Sequence, residues 1–420
     1  MGVRCGNNGG MSIFKTLRSV MRFKPIELDG NKRRLTKVAN VEEFRVIAKK
    51  RLPRAVFDYI DGAAEDERTM GRNASKFSEI EFVPKVLVAV EHINTETTLL
   101  GKKIPSPLVL SPTGFTRICH SEGELSVARA AARRGIPYGL TTMATRSIEE
   151  VGSVSNGPKW FQVYVWRDRD LVAQLLNRAK AQGFETIMIT VDTAVLGMRE
   201  RDVRNGMTMP PRLGLGTIID GIKHPSWTRD FITHDPITFA NIAGYDGIAS
   251  DDAVTLGEFN QAQFDLNVEW SDIEWFRENW DGPIVLKGIQ CVDDAKRAVN
   301  DHGIEGLMLS NHGGRQLEGA PAVIETVEPI ANAVGHQSDI ICDGGIRRGS
   351  DIVKAVAMGA KACSIGRPYL YALGAGGEPG VDHMLDLFEG GLKRTMALAG
   401  LQDIGDITRD RVRWQSEPIR

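Results

Sequence analysis

Gly306-Leu307-Met308-Leu309-Ser310-Asn311-His312-Gly313-Gly314-Arg315 reads as a short buried strand that runs out into a histidine, two glycines and an arginine. Similar runs recur on both sides of it. Upstream lie 107–111 (PLVLS), 138–142 (YGLTT), 160–165 (WFQVYV), 186–192 (TIMITVD) and 283–287 (PIVLK). Downstream lie 339–343 (DIICD) and 362–366 (ACSIG). Each is short and almost continuously apolar, as parallel strands covered on both faces are. Helical patterns fill the gaps, over 123–134, 171–181, 292–300 and 350–358, and glycines at 135, 183 and 359 mark their ends. Eight strands alternating with helices predict an α/β fold, an eight-stranded parallel (β/α)8 TIM barrel. A doubly wound sheet ranks second, because no GxGxxG fingerprint opens a first strand–helix unit.

The chain has 420 residues. A prior of about 150 residues per domain suggests three domains, but α/β barrels often exceed about 250 residues as one unit. The expected division is a basic extension over 1–40, a barrel over 41–400 and a tail over 401–420. Residues 41–100 look like helices that plug or flank the barrel. The fourth and fifth strands stand far apart, so 197–275 form a long excursion, and loops of that length are usually functional. With 52 basic and 54 acidic residues the net charge is −2, which argues against nucleic-acid binding. The charge is uneven: residues 1–40 carry +7, leaving −9 on the rest. Five cysteines, an odd number with no metal-ligand or CxxC spacing, point to a reducing compartment and no metal.

Barrels of this kind place their chemistry at the C-terminal ends of the strands. The first strand is followed by Pro112, Thr113 and Gly114; the second ends at Thr141; the third carries Gln162 and Tyr164; the fourth carries Thr190 and Asp192; the fifth ends at Lys287. After the seventh and eighth come Asp343, Gly344, Gly345 and Arg347, then Gly366 and Arg367. Glycine lets backbone N–H groups approach an anion, and arginine pairs with phosphate bidentately. These last two loops therefore read as a phosphate site. His312 with an aspartate from another strand end is a general-base arrangement. Taken singly, Tyr59 and Tyr164 also read as core tyrosines, Arg199 as a loop arginine in a charged run, and Lys287 as a core-edge lysine.

Together these motifs resemble the FMN-dependent L-2-hydroxy acid oxidase/dehydrogenase family, over about residues 41–400. The signature is Ser310–Leu317 (SNHGGRQL), joined by DGGIRRG from Asp343, IGRP from Ile365, Leu52-Pro53, Phe57-Asp58-Tyr59 and Ala64-Glu65-Asp66. The resemblance implies FMN as cofactor and a small L-2-hydroxy acid as substrate. It implies His312 as base with Asp192 as partner, and Arg315 and Arg199 as the grip on the substrate carboxylate. Tyr59 and Tyr164 would bond the carboxylate and hydroxyl, and Lys287 would stabilise the reduced flavin. Pro112, Thr113, Gly114, Thr141, Gln162 and Thr190 would hold the ring; Asp343, Gly344, Gly345, Arg347, Gly366 and Arg367 would hold the ribityl phosphate. A homotetramer is implied as well.

Met143 and Leu196 are expected as pocket walls, beside the turn of Gly114 and Phe115, with room for a side chain of methyl size or larger. L-lactate, oxidised to pyruvate, is the expected substrate; the stretch 192–205 also looks similar to mandelate dehydrogenase, so an aromatic hydroxy acid is the alternative. Electrons are expected to pass to quinone or a cytochrome, the alternative being an oxidase that reduces O2 to H2O2. A non-catalytic flavin-binding barrel is the remote alternative. The segment 11–24 (MSIFKTLRSVMRFK) sets Lys15, Arg18 and Arg22 on one helical face and Ile13, Leu17, Val20 and Met21 on the other. Such a helix can lie on an anionic membrane surface, and Trp227, Phe231 and Phe239 in the excursion are expected to share that role. The expected location is cytoplasmic, peripheral on the inner face of the membrane. A transit peptide and a segment packed on the barrel or disordered are the other readings of the head.

Overall fold

The computed structural model describes residue 21 and residues 27–207, 214–245, 258–259 and 262–418. The amphipathic segment 11–24 lies outside the described residues, except Met21. The chain divides into two compact units, 1–38 and 39–420. In the first, the helix Gly30–Leu35 starts at Asp29, whose side chain accepts from the N–H groups of Asn31 and Lys32.

The second unit is built on a closed eight-stranded parallel barrel. Its strands are β1 (Leu108–Leu110), β2 (Tyr138–Thr141), β3 (Lys159–Tyr164), β4 (Thr186–Thr190), β5 (Ile284–Ile289), β6 (Gly306–Ser310), β7 (Asp339–Asp343) and β8 (Ala362–Ile365). All eight fall on the expected runs. One boundary differs with consequence: β4 ends at Thr190, so Asp192 stands on the loop beyond it. β5 runs on to Ile289 through a register shift at Lys287/Ile289.

Register aligns the chemistry. Tyr164 pairs with Thr190, and Thr190 with Lys287, on three adjacent strands. Asp343 stands between Ser310 and Ser364 on its two neighbours. Below them Val109, Trp160, Met188, Val285, Met308, Ile341 and Ala362 pack together as the barrel core. Leu99 and Ile104 join this core from a hairpin, Thr97–Leu99 with Lys102–Ile104. The first strand of that hairpin falls in the stretch 41–100 expected to be helical. The helices expected before the barrel are Val41–Arg51, Arg54–Asp61 and Arg68–Ser75. The strand Val412–Trp414 pairs antiparallel with Ile80–Phe82, which ties the end of the chain to the segment before the barrel.

The excursion is anchored along its described part. Arg117, from the loop after β1, donates to the carbonyls of Asp235 and Pro236. Asp230 accepts from the backbone and hydroxyl of Ser121. Two aromatic residues expected to face a membrane turn inward instead. Phe239 is buried and stacks on Phe115 at 5.4 Å. The Trp227 indole, half-buried, donates to the Ile118 carbonyl. A buried indole N–H usually finds a partner, and this loop provides one for Trp227. Phe231 is exposed.

Candidate active site

A cavity of ≈560 Å³ opens at the C-terminal end of the barrel, within the usual range for small-molecule sites. Every site residue expected from the sequence lines it except Asp192, which sits behind His312.

β6 ends in a left-handed turn, with His312 at φ 57° and Gly313 at φ 67°. This turn swings the imidazole back toward the β4 loop. Nδ1 lies 3.1 and 3.2 Å from the two oxygens of Asp192. Burial lowers the basicity of His312 against the pull of Asp192. Burial pushes the Asp192 carboxyl up, but His312 and Lys287 outweigh it and the carboxyl ends below its ordinary range. The consistent arrangement at neutral pH is an ionised Asp192 accepting from Nδ1–H. The lone pair then sits on Nε2, where a base needs it.

The turn is held by two asparagines. Asn73, on the helix Arg68–Ser75, and Asn311 exchange side-chain bonds of 2.8 and 2.9 Å inside the protein. Asn311 also accepts from the Gly314 N–H, and the His312 N–H donates to Ser310. Asn73 carries no signal in sequence, because its partner lies 238 residues along the chain; Ser310 opens the signature, but its bonds to Lys287 and Asp343 on the neighbouring strands show only in the fold.

Arg315 donates to the carbonyls of Tyr59 and Gly62, and its guanidinium lies over the Tyr59 ring at 5.2 Å. Arg199 stands just before the helix Glu200–Asn205, makes no capping bond with its side chain, and reaches Gln316 at 3.4 Å. Burial and the neighbouring Arg315 lower Arg199 to about 10, still charged at neutral pH. Burial pushes both Tyr59 and Tyr164 above the ordinary phenol range, so both keep their protons.

Opposite, the Thr141 hydroxyl donates to Gln162, and Gln162 Nε2 donates to Thr190 at 2.8 Å. The three form a polar ribbon across β2, β3 and β4. Lys287 Nζ donates to Ser310 Oγ at 3.1 Å and lies 3.4 Å from Asp343. Asp343 also accepts from Ser111 and Ser310. Of the arginines in the Gly-Arg loops, Arg367 donates to the carbonyls of Ile60, Gly62 and Gly313. It therefore braces the histidine turn as well as lining the cavity. Gly345, at φ 82°, packs so closely on Asn73 that a Cβ would meet the Asn73 carbonyl at 1.9 Å.

Met143 and Leu196 line the cavity as expected. Phe264 and Asp202 line it too, without having been singled out by any motif. Phe264 comes from the return limb of the excursion, bridged to Trp166, and meets the Tyr164 ring edge-on at 5.3 Å. Asp202 is legible in principle: it follows Arg199 by three residues, one helical step on the same face.

Residues 48–414 match the FMN-dependent dehydrogenase family. An L-lactate dehydrogenase of Caulobacter vibrioides is 41% identical over 371 residues, covering 88% of this chain and 96% of the relative. A Mycobacterium tuberculosis protein whose name marks it provisionally as an L-lactate dehydrogenase is 44% identical over 395 residues, 94% of each chain. Among solved structures, the monotopic membrane protein (S)-mandelate dehydrogenase superposes with TM-score 0.85 at 37% identity, covering 90% of this chain and 99% of that one.

Proposed function

The chain belongs to the FMN-dependent dehydrogenase family, and on that premise we propose that it oxidises L-lactate to pyruvate, with His312 as the base. The observation that carries the reading is His312, backed by Asp192 from outside the cavity, standing with two arginines in one cavity. The residues present suit FMN. Ser364 Oγ is buried in the cavity wall with no hydrogen-bond partner among the described residues, the backbone of Gly344 and Gly345 lines the cavity, and Arg347 and Arg367 supply positive charge to its wall. The Thr141–Gln162–Thr190 ribbon offers polar groups along a ring. Bound FMN supplies the two-electron acceptor.

The chain's own residues do the rest. Arg199 and Arg315 hold the substrate carboxylate, which fixes the reacting carbon relative to His312. Tyr59 and Tyr164, both protonated, donate to the carboxylate and the hydroxyl. His312 Nε2 takes a proton, and Asp192 stabilises the resulting imidazolium. Lys287 places a fixed positive charge where negative charge grows. Lactate loses two electrons and two protons in becoming pyruvate; His312 would receive one proton, and the two electrons would pass with the other to the flavin.

L-lactate is favoured by the relatives. A larger aromatic hydroxy acid is the second reading, favoured by the mandelate enzymes among the structural neighbours; a mandelate oxidase with (S)-4-hydroxymandelic acid superposes with TM-score 0.77 at 34% identity, covering 90% of this chain and 99% of that one. We assign electron transfer to a quinone or cytochrome at a membrane surface. Exposed Val195, Met198, Leu317, Phe231 and Ile232 support peripheral contact, and no helix among the described residues is long and apolar enough to span a bilayer. The decisive experiment is anaerobic bleaching of the bound flavin by a panel of L-2-hydroxy acids, followed by air. Rapid bleaching by lactate that persists in air supports this reading. Immediate recolouring with stoichiometric peroxide assigns an oxidase, and bleaching only by mandelate assigns the aromatic substrate.

A further inference from the structure

Asp202 enters the cavity from the first turn of the helix Glu200–Asn205, three residues after Arg199. It is buried, 6% exposed. Its Oδ2 lies 3.8 Å from the Arg315 guanidinium, too far for a hydrogen bond. Among the described residues its Oδ1 has no hydrogen-bond partner, and neither has Arg199 Nε. Three charged groups thus converge on one space with two buried polar atoms unsatisfied. Buried polar atoms are normally satisfied, and a ligand that brings its own charge would complete this set.

The other charged groups near Asp202 are committed elsewhere. Arg201 pairs with Asp61 and Glu67. Asp58 accepts from Asn205 and lies near Arg54 and Arg201. The Tyr59 ring lies under Arg315. Among the described residues Asp202 is therefore the acid that faces the clamp directly. Ionised, it leaves the two guanidiniums one net positive charge for an incoming carboxylate; protonated, it leaves two.

We propose that Asp202 is the resident counter-charge of the Arg199–Arg315 clamp, a positioning residue whose protonation state sets how tightly the clamp holds a substrate carboxylate. The proposal rests on the reading that these two arginines bind that carboxylate. Burial lifts the Asp202 carboxyl to about 6 against the pull of Arg315 and Arg199. As pH falls through that value the clamp gains a positive charge and anion affinity rises. Affinity falls again as pH rises and the carboxylate competes.

The test uses the FMN-loaded enzyme and oxamate, a carboxylate with no hydrogen on the reacting carbon. Its Kd is read from the flavin absorbance between pH 5.5 and 7.5. The wild-type Kd should rise about tenfold across that range, as expected for one added charge in a partly desolvated site. Asp202→Asn should bind oxamate at pH 7.5 about as tightly as the wild type does at pH 5.5, and Asp202→Glu should restore the rise. His312 and Asp192 are present in all three proteins, so the difference between profiles reports Asp202. An Asp202→Asn profile with the wild-type slope overturns the proposal, as does weaker binding at every pH. Calorimetry of the wild type in two buffers adds an independent check: oxamate should bind with proton uptake near pH 6, and its absence also overturns the proposal. Arg199→Met separates the two failures. Oxamate affinity unchanged in that variant overturns the clamp reading itself, and the role of Asp202 with it.

Discussion

A Cβ on Gly288 would lie 2.7 Å from the Cβ of Asp192. Gly288 has φ 118° and sits at the register shift in β5, one residue after Lys287. The missing side chain is what lets the β4 loop carry Asp192 in behind His312. Gly288→Ala should therefore displace the carboxylate by a large fraction of an ångström. A misplacement of that order costs up to about a hundredfold in rate. Stopped-flow reduction of the bound flavin should slow by at least about tenfold, with flavin content retained. An unchanged rate would show that Asp192 reaches His312 without this clearance.

Asp192→Asn keeps the shape of the pair and removes its charge. Loss of the partner that stabilises the imidazolium should lower kcat by about 10²-fold or more. The pH profile carries a second signature. Burial already holds His312 below its ordinary value and Asp192 opposes that shift. Removing Asp192 should move the acid limb of kcat/KM to still lower pH. A limb that moves upward would contradict the electrostatic account.

Phe264 walls the pocket against Tyr164. Phe264→Ala should open space on the side-chain side of the substrate. The ratio of kcat/KM for (S)-mandelate over L-lactate should rise by about tenfold, the scale on which one apolar pocket contact discriminates. If both substrates fall together, the ring serves the fold rather than selection.

Asp61 joins three elements: it pairs with Arg45 and Arg201 and accepts from the Tyr371 hydroxyl. Burial raises its carboxyl, but Arg45, Tyr371 and Arg201 bring it down to about 2. A carboxyl lowered on folding stabilises the protein above its unfolded value, near 4, and loses that contribution as pH falls through the folded value. Asp61 should therefore contribute about 2 kcal/mol at neutral pH, disappearing between about pH 4 and pH 2. Urea midpoints of wild type and Asp61→Asn should differ at pH 7 and draw together as acid is added. Parallel curves would assign the stabilisation elsewhere.

Much of the barrel and its site is legible in the order of residues alone. The eight strands follow from apolar, β-branched runs with helical spacing between them, because buried parallel strands admit little else. The strand ends then gather of necessity at one face. Hence Thr141, Gln162, Lys287, His312 and Asp343 can be placed in one site by counting strands. The groups that hold them cannot. Asn73 bonds Asn311 across 238 residues, and Ser111 bonds Asp343 across 232. No local pattern marks either pair.

The amino-acid sequence by itself determined the barrel and, through the resemblance carried by its strand-end motifs, the cofactor family and the candidate reacting groups, since apolar periodicity and short motifs are local properties. Tertiary structure alone decided how those groups are tuned. It set Asp192 one loop beyond its strand, turned Phe239 inward, brought Phe264 against Tyr164, and left an oxygen of Asp202 without a hydrogen bond beside two arginines. Burial and distance govern hydrogen-bond satisfaction and charge, and both depend on which distant segments the fold packs together.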